Sequence, residues 1–570
     1  MLDNFITPEQ ARDTFINFRG SPFRPFQREA ICFNSRPTAA EVVYNDAPTG
    51  SGKSLIGMVC ARMAGSAIYL CSSKQLQNQL ESEFPGVKLL KGRANYQCDD
   101  CKGTDCGHGR KVKCGYKGCP YKLAKQEALD APIAVLNHAY FLTEANWVGK
   151  FSNRNLIVID EADVLENMIV EFCSPEVPYW AIRELDLQPP GRKTATAIGA
   201  IDIWKQWGVK IGAKVWAAKK AYEYDAKHTT SAREVIDLTR KVDALSSLAA
   251  RLKMFVANVD ETWLFEEKKH WRGSGFTWSF KPLWITPQMA NNVLWRHGAR
   301  FILMSATMPP ANLISTLYGL EHGDYEAYPV PSTFDPERRK VYCNPVVKLS
   351  SDNLSEKPPW KDRKPVRTQS QQTELRRVTI DKLTAEISAI LYHNSLDKGV
   401  IHGVSYKLCQ SIRAGLSKDS EIAKRLVWHE SGGDEKDEML ERFIGSDRPL
   451  VLLSPSCERG VSLPYDLCRF IVFAKAPYLN LGDKITAART YSGWVGSYWY
   501  ASDMIRSVVQ GAGRGMRSED DFCRTYLLDE KITDAITSGK NRGIAPQWFM
   551  DALWWGNWRY DKRVDDNGRD

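Results

Sequence analysis

Short apolar runs of strand length alternate with helical patterns along this chain. Residues 41–45 read as a strand, 55–64 as a helix and 67–71 as the next strand. Residues 156–159 and 301–304 are two further four-residue apolar runs, the kind buried on both faces of a parallel sheet. The same grammar resumes from residue 378 onward and predicts a second α/β unit. Other stretches break it. Residues 91–125 are rich in Cys, Gly and Lys, and 164–260 look helical and tryptophan-rich. Residues 263–280 form two alternating runs about Arg272-Gly273-Ser274-Gly275, a hairpin signal. Residues 349–377 are polar with several prolines and predict a linker or long loop. Residues 546–559 predict an aromatic helix begun by Pro546.

Composition narrows the class. The 570 residues are 43% hydrophobic and 25% charged, which excludes a disordered or collagen-like chain. No run approaches the ~20 apolar residues of a membrane helix. The start MLDNFITPEQARD has acids where a secretory signal needs bases. A cytoplasmic protein with no membrane partner is expected, its 14 cysteines serving as thiols or metal ligands. The net charge of +9 is too small for this length to identify a polyanionic partner by itself. It is concentrated, however. Residues 91–125 carry nine Lys or Arg against three Asp, and five cysteines as well.

The sharpest chemistry lies between the first strand and its helix. Ala47-Pro48-Thr49-Gly50-Ser51-Gly52-Lys53-Ser54 fits a phosphate loop, with Ala47 where the usual pattern begins in glycine. Glycines let the N–H groups of Thr49, Gly50, Ser51 and Gly52 turn inward onto phosphates, and the helix N-terminus adds a favourable dipole. Lys53 reaches the outer phosphates and Ser54 ligates Mg²⁺. A Mg-nucleotide site also needs an acid at the end of a buried strand. Asp160 supplies it, and Glu161 polarises the attacking water. Positive charge for the transition state is offered by Arg514 and Arg517 in the segment Gln510–Arg517, spaced to share one helix face.

The full set resembles a superfamily 2 helicase. Arg24-Pro25-Phe26-Gln27 resembles the adenine-reading element, which implicates Arg24 and Gln27 in ATP binding. Ser72-Ser73-Lys74-Gln75-Leu76 resembles the strand-end motif that touches the nucleic-acid backbone. Ser305-Ala306-Thr307 resembles the motif coupling hydrolysis to strand movement. Residues 454–463 (SPSCERGVSL) and 510–517, with Gln510, resemble motifs V and VI. Within that superfamily the chain is similar to the XPD/DinG group, and a DinG-type protein of bacterial or phage source is expected. Gly92-Arg93-Ala94-Asn95-Tyr96-Gln97-Cys98 and Cys119-Pro120-Tyr121 resemble the borders of its iron–sulfur insertion. Leu136-Asn137-His138 resembles the segment before its acid-pair strand, and Phe473-Ala474-Lys475-Ala476-Pro477-Tyr478 the stretch after motif V. The acid motif ends in Asp163, where this group usually has His.

Four thiolates from Cys98, Cys101, Cys106, Cys114 and Cys119 hold either a [4Fe–4S] cluster or zinc. The Cys-x2-Cys spacing favours zinc, and the resemblance favours the cluster. Cys98 and Cys119 carry the family borders; the fifth cysteine is not identified. The local basic excess either solubilises a loop-rich insertion or lines a track for phosphates, and the resemblance, which implies an insertion beside the strand channel, favours the track. Tyr96, Tyr116 and Tyr121 offer stacking platforms, against a buried fate for any one of them. Ser72, Ser73, Gln75, Tyr96 and Ser405 are the candidate nucleic-acid contacts.

The expected architecture is α/β, with two RecA-like lobes. Lobe one covers 1–90, 126–165 and 286–345, interrupted by a metal-bearing insertion (91–125) and a mostly helical arch (166–285). A polar linker (346–377) leads to lobe two (378–570). The resemblance implies ATP bound between the lobes and a monomeric ATP-dependent helicase. It implies 5′→3′ movement on single-stranded DNA and unwinding of forked DNA, with RNA left open. Two rival readings are a nucleic-acid-dependent translocase without net unwinding and a nucleic-acid-binding scaffold with weak ATPase.

Overall fold

Aliphatic runs with no polar residue to expose become strands covered on both faces. The computed structural model describes residues 6–98, 105–111, 118–191, 196–269, 275–361, 364–429, 434–455, 463–516 and 518–561. It groups into two units, Met1–Asp46 with Gly52–Val330, and Ala47–Ser51 with Pro331–Asp570.

The strands of the first unit are β1 (Val42–Asp46), β2 (Ala67–Cys71), β3 (Lys88–Leu90), β4 (Ile133–Asn137) and β5 (Leu156–Asp160). These are followed by β6 (Glu176–Val177), β7 (Trp263–Lys269), β8 (Phe276–Pro282), β9 (Phe301–Ser305) and β10 (Tyr325–Pro329). Seven of them form a parallel sheet in the order β10-β1-β9-β5-β2-β4-β3. Strands β2, β5 and β9 are buried along their whole length.

Between β5 and β9 the chain leaves the sheet. It builds helices Ile201–His228 and Ala232–Asn258 and the antiparallel sheet β6-β8-β7. Four tryptophans of this segment lie in its core, while Trp216 is exposed. Trp204, Trp207, Phe255, Trp263, Trp278 and Phe280 are buried and in ring contact, which explains why the stretch is so aromatic.

The second unit contains β11 (Val341–Tyr342), β12 (Trp360–Lys361), β13 (Lys364–Pro365), β14 (Gly399–His402), β15 (Leu426–Trp428), β16 (Val451–Ser454), β17 (Phe470–Phe473), β18 (Arg524–Leu527) and β19 (Leu553–Trp554). Its main sheet is also parallel, in the order β15-β16-β14-β17-β18-β11-β19.

Three local expectations change. Val341–Tyr342 pairs with β18 and β19, so this strand belongs to the second sheet although the sequence reading assigns residues up to 345 to the first lobe. The expected linker at 346–377 carries a short helix (Ser351–Leu354), the β12-β13 ladder and the start of the long helix Gln369–His393. Thr368 and Gln371 begin that helix with a reciprocal capping box. Residues 546–559 are not one helix. A four-residue helix (Gln547–Met550) gives way to β19, because that strand takes the open edge beside β11, and a 3₁₀ turn (Trp558–Tyr560) follows. No helix among the described residues is long and apolar enough to cross a membrane.

Candidate active site

Five of the segments singled out in the sequence lie at the carboxyl end of a parallel strand, where ligands of open α/β sheets bind. The phosphate loop follows β1, Ser72 follows β2, Asn137 ends β4, Asp160 ends β5 and Ser305 ends β9. Arg24 and Gln27 lie before β1, and the Gln27 side chain accepts a hydrogen bond from the Arg24 N–H at 2.8 Å. Gln27 is buried under the loop. A Cβ on Gly52 would lie 2.1 Å from Gln27 Nε2, so a side chain there would displace the glutamine from the loop. Gly50 and Gly52 both have positive φ (84° and 76°), the conformation that turns N–H groups inward. Lys53 opens the helix Lys53–Met63, with Ser54 after it.

Two candidate Mg²⁺ ligands meet at one oxygen that sequence reasoning missed. Tyr69 on β2 is fully buried and donates to Asp160 Oδ2 at 2.9 Å. The Ser54 hydroxyl is hydrogen-bonded to the same phenol. The helix above makes room for the ring at Gly57, where a Cβ would lie 2.8 Å from Tyr69. A hydroxyl and a carboxylate are hard oxygen donors that fit Mg²⁺. Burial pushes the Asp160 carboxyl above its ordinary range, opposed by the charge of Lys53 and the Tyr69 hydrogen bond. The signal in the sequence was a tyrosine inside the otherwise aliphatic run Ala67-Ile68-Tyr69-Leu70-Cys71, since a buried hydroxyl needs a partner.

Glu161 stands in the left-handed region at φ 53°, rare for a residue with a side chain. Its carboxylate accepts from the Ser72 hydroxyl. Ser72 is held in turn by Asn137, whose Nδ2 donates to the Ser72 carbonyl at 3.1 Å. Ser73 caps the helix Lys74–Glu83, accepting from the Leu76 N–H, and Gln75 lies exposed in its first turn. Asp163 replaces the group's usual histidine and receives the Ser305 hydroxyl at 2.8 Å, while Ser305 Oγ accepts from the Thr307 N–H at 3.2 Å. Ala306 lies between them. His138 is buried beside these acids, and burial pulls its imidazole down to about 4, so it is neutral at physiological pH.

In the second unit, Gln510 lies near the end of helix Trp494–Ala512, and Arg514 in the 3₁₀ turn after it. A Cβ on Gly511 would lie 2.5 Å from the Phe473 ring, so this helix end rests directly on β17. His402 stacks on Phe473, and burial with the nearby Arg514 charge keeps it neutral. Ser405 caps helix Tyr406–Leu416, accepting from the Leu408 N–H. Arg517 and residues 456–462 of the motif V segment lie outside the described residues.

Of the five clustered cysteines, Cys98, Cys106 and Cys119 are described, and all three are buried. The sulfurs of Cys106 and Cys119 lie 3.6 Å apart. Although burial opposes it, the N–H groups of Lys122 and Tyr121 and the Cys106 thiol hold the Cys119 thiol below its ordinary value. Two converging thiols, one biased toward thiolate, fit half of a four-thiolate site. No group of three possible metal ligands is assembled among the described residues, and Cys101 and Cys114 lie outside them. Tyr96 is turned inward. Its hydroxyl accepts from the Lys91 N–H, and its ring meets that of buried Tyr121 edge-on.

Comparison with known proteins gives a consistent picture. The DEAD/DEAH box helicase family model matches residues 24–177, and the helicase C-terminal domain model matches 390–546. The chain is 20% identical to the ATP-dependent DNA helicase YoaA of Haemophilus influenzae, over 85% of this chain and 87% of that protein. It is 19% identical to YoaA of Escherichia coli, over 93% and 94%. A solved apo XPD structure shares its fold with a TM-score of 0.53 and 14% identity, over 89% of this chain and 96% of that one.

Proposed function

Because this chain is an XPD/DinG-like superfamily 2 helicase, and thus an ATP-dependent DNA helicase, we propose that it moves 5′→3′ along single-stranded DNA and opens forked duplexes. One observation carries the assignment of its chemistry: Ser54 and Asp160, from two separate motifs, share the Tyr69 hydroxyl.

In this reading Thr49 to Gly52 direct N–H groups at the phosphates, and Lys53 neutralises the outermost one. Ser54 and Asp160 would hold a Mg²⁺ ion, which would supply positive charge to the phosphate oxygens. Glu161 orients water for in-line attack, and Arg514 and Arg517 stabilise the transition-state charge. Arg24 and Gln27 read the adenine, and Gln510 supports the arginine-bearing turn. The hydrogen bond from Ser305 to Asp163 supports a coupling role, because a change beside Asp160 reaches the end of β9 through it. Ser72, Ser73, Gln75 and Ser405 contact the strand backbone. Tyr96, packed edge-on against Tyr121, acts as a wall for a base rather than a free platform. Cys98, Cys106 and Cys119 with Cys101 or Cys114 hold a [4Fe–4S] cluster, zinc being the rival metal. Such a group would tie the ends of the insertion together.

The test is unwinding of forked DNA carrying a single 5′ or 3′ tail, beside ATP hydrolysis with and without single-stranded DNA. We expect unwinding only with the 5′ tail, and at least a 100-fold loss of hydrolysis in Lys53→Ala, the scale of a lost transition-state charge partner. Unwinding from the 3′ tail reverses the direction. Strand-stimulated hydrolysis without unwinding points to the translocase reading.

A further inference from the structure

The Ser72 hydroxyl has a single proton to donate and two anions that can receive it. Ser72 stands at the end of β2, and Glu161 just after β5, the adjacent strand. The serine donates to the Glu161 carboxylate. Its carbonyl is pinned from the far side by Asn137 at the end of β4. Three neighbouring strand ends are thus tied in one hydrogen-bonded row, with the water-orienting acid at one end. Ser72 also belongs to the segment proposed above to meet the phosphates of the bound strand.

From this arrangement we propose that Ser72 is a positioning residue that restrains Glu161 until nucleic acid arrives, so that strand binding switches on ATP hydrolysis. The inference rests on the roles given to Glu161 and Ser72 in the previous subsection. A hydroxyl has one O–H and cannot serve two acceptors at once. Without a strand, its proton goes to Glu161. That charge-assisted bond holds the carboxylate toward β2 and lowers its ability to orient and polarise water. A phosphate oxygen at Ser72 takes the proton, and Glu161 is released toward the phosphate loop. Ser73 next to it has its oxygen engaged in capping but keeps its own proton for the phosphate. The row to Asn137 keeps Ser72 in place during the exchange, so only the hydroxyl turns. No atom is transferred and no bond is broken beyond these hydrogen bonds.

The experiment measures ATP hydrolysis by the full chain with no nucleic acid and with saturating single-stranded DNA, for wild type, Ser72→Ala and Ser72→Thr. DNA affinity is followed separately by fluorescence anisotropy. Ser72→Ala is expected to raise the strand-free rate about tenfold, the size of one lost charge-assisted hydrogen bond, and to shrink stimulation by the same factor. Ser72→Thr keeps a hydroxyl and is expected to restore both. A strand-free rate that is unchanged or lower in Ser72→Ala, with wild type still stimulated by DNA, overturns this proposal alone. A wild type that hydrolyses no ATP in either condition overturns the preceding reading and this one with it.

Discussion

A buried tyrosine hydroxyl costs free energy unless it is hydrogen-bonded, and Tyr69 meets that need with the two groups best suited to hold a cation. Tyr69→Phe keeps the ring that packs beneath Gly57 and removes only the oxygen shared by Ser54 and Asp160. Groups that orient metal ligands typically matter about 10- to 100-fold. The variant is therefore expected to need about tenfold more Mg²⁺ for half-maximal ATP hydrolysis. A Mg²⁺ titration checks this, and binding of Mn²⁺ followed by electron paramagnetic resonance gives a second readout independent of turnover. An unchanged Mg²⁺ requirement would reduce Tyr69 to a packing residue. The sequence motifs place Lys53, Ser54, Asp160 and Glu161 at a helix start and a strand end, and the structure sets them there, because their spacing is fixed by strand, loop and helix. Tyr69 escaped because its role depends on which strand lies beside β5, and nothing local to its own sequence reveals that neighbour.

At the scale of elements, the short apolar runs translated directly into strands, since a continuous aliphatic stretch has few other places to go. Helix starts were less visible. The Thr368/Gln371 capping box lay in a stretch dominated by prolines and charge, and those signals pointed to a loop. The aromatic stretch after Pro546 misled for the opposite reason. Its tryptophans suggest a helix face, yet Leu553–Trp554 closes an open sheet edge, a tertiary gain that local pattern cannot show. One close approach between elements yields a further expectation. A Cβ on Gly496, in helix Trp494–Ala512, would lie 1.8 Å from the carbonyl oxygen of Arg489, in helix Lys484–Thr490. Gly496→Ala should destabilise the second unit by about 1–3 kcal/mol, the usual scale of overpacking. Urea unfolding reads this as a lower midpoint at unchanged slope. An unshifted midpoint would mean that the two helices part without cost.

Across the whole molecule, the chemistry is distributed among insertions that leave one sheet and return to it. The cysteine-bearing segment departs after β3 and rejoins at β4, while the phosphate loop lies on the far side of that sheet, after β1. The double variant Cys106→Ser, Cys119→Ser is accordingly expected to lose bound metal and to fall below about a tenth of wild-type unwinding, while still binding a fluorescent ATP analogue. Iron, zinc and sulfide analysis beside a binding titration checks both halves; loss of nucleotide binding would show that the insertion supports the sheet itself. The strand order has a consequence for how the protein is made. Strand β1 lies between β9 and β10 and pairs with both, Val42 opposite Phe301 on one side and Tyr325 on the other. Neither neighbour exists when β1 leaves the ribosome. At about 5–20 residues per second, the interval from Asp46 to Phe301 lasts roughly 10–50 s. Through that time the strand that feeds the phosphate loop has two bare edges. The nascent chain therefore carries an unpaired β1 for that period, and the sheet from which the phosphate loop leaves closes only when its last strands arrive.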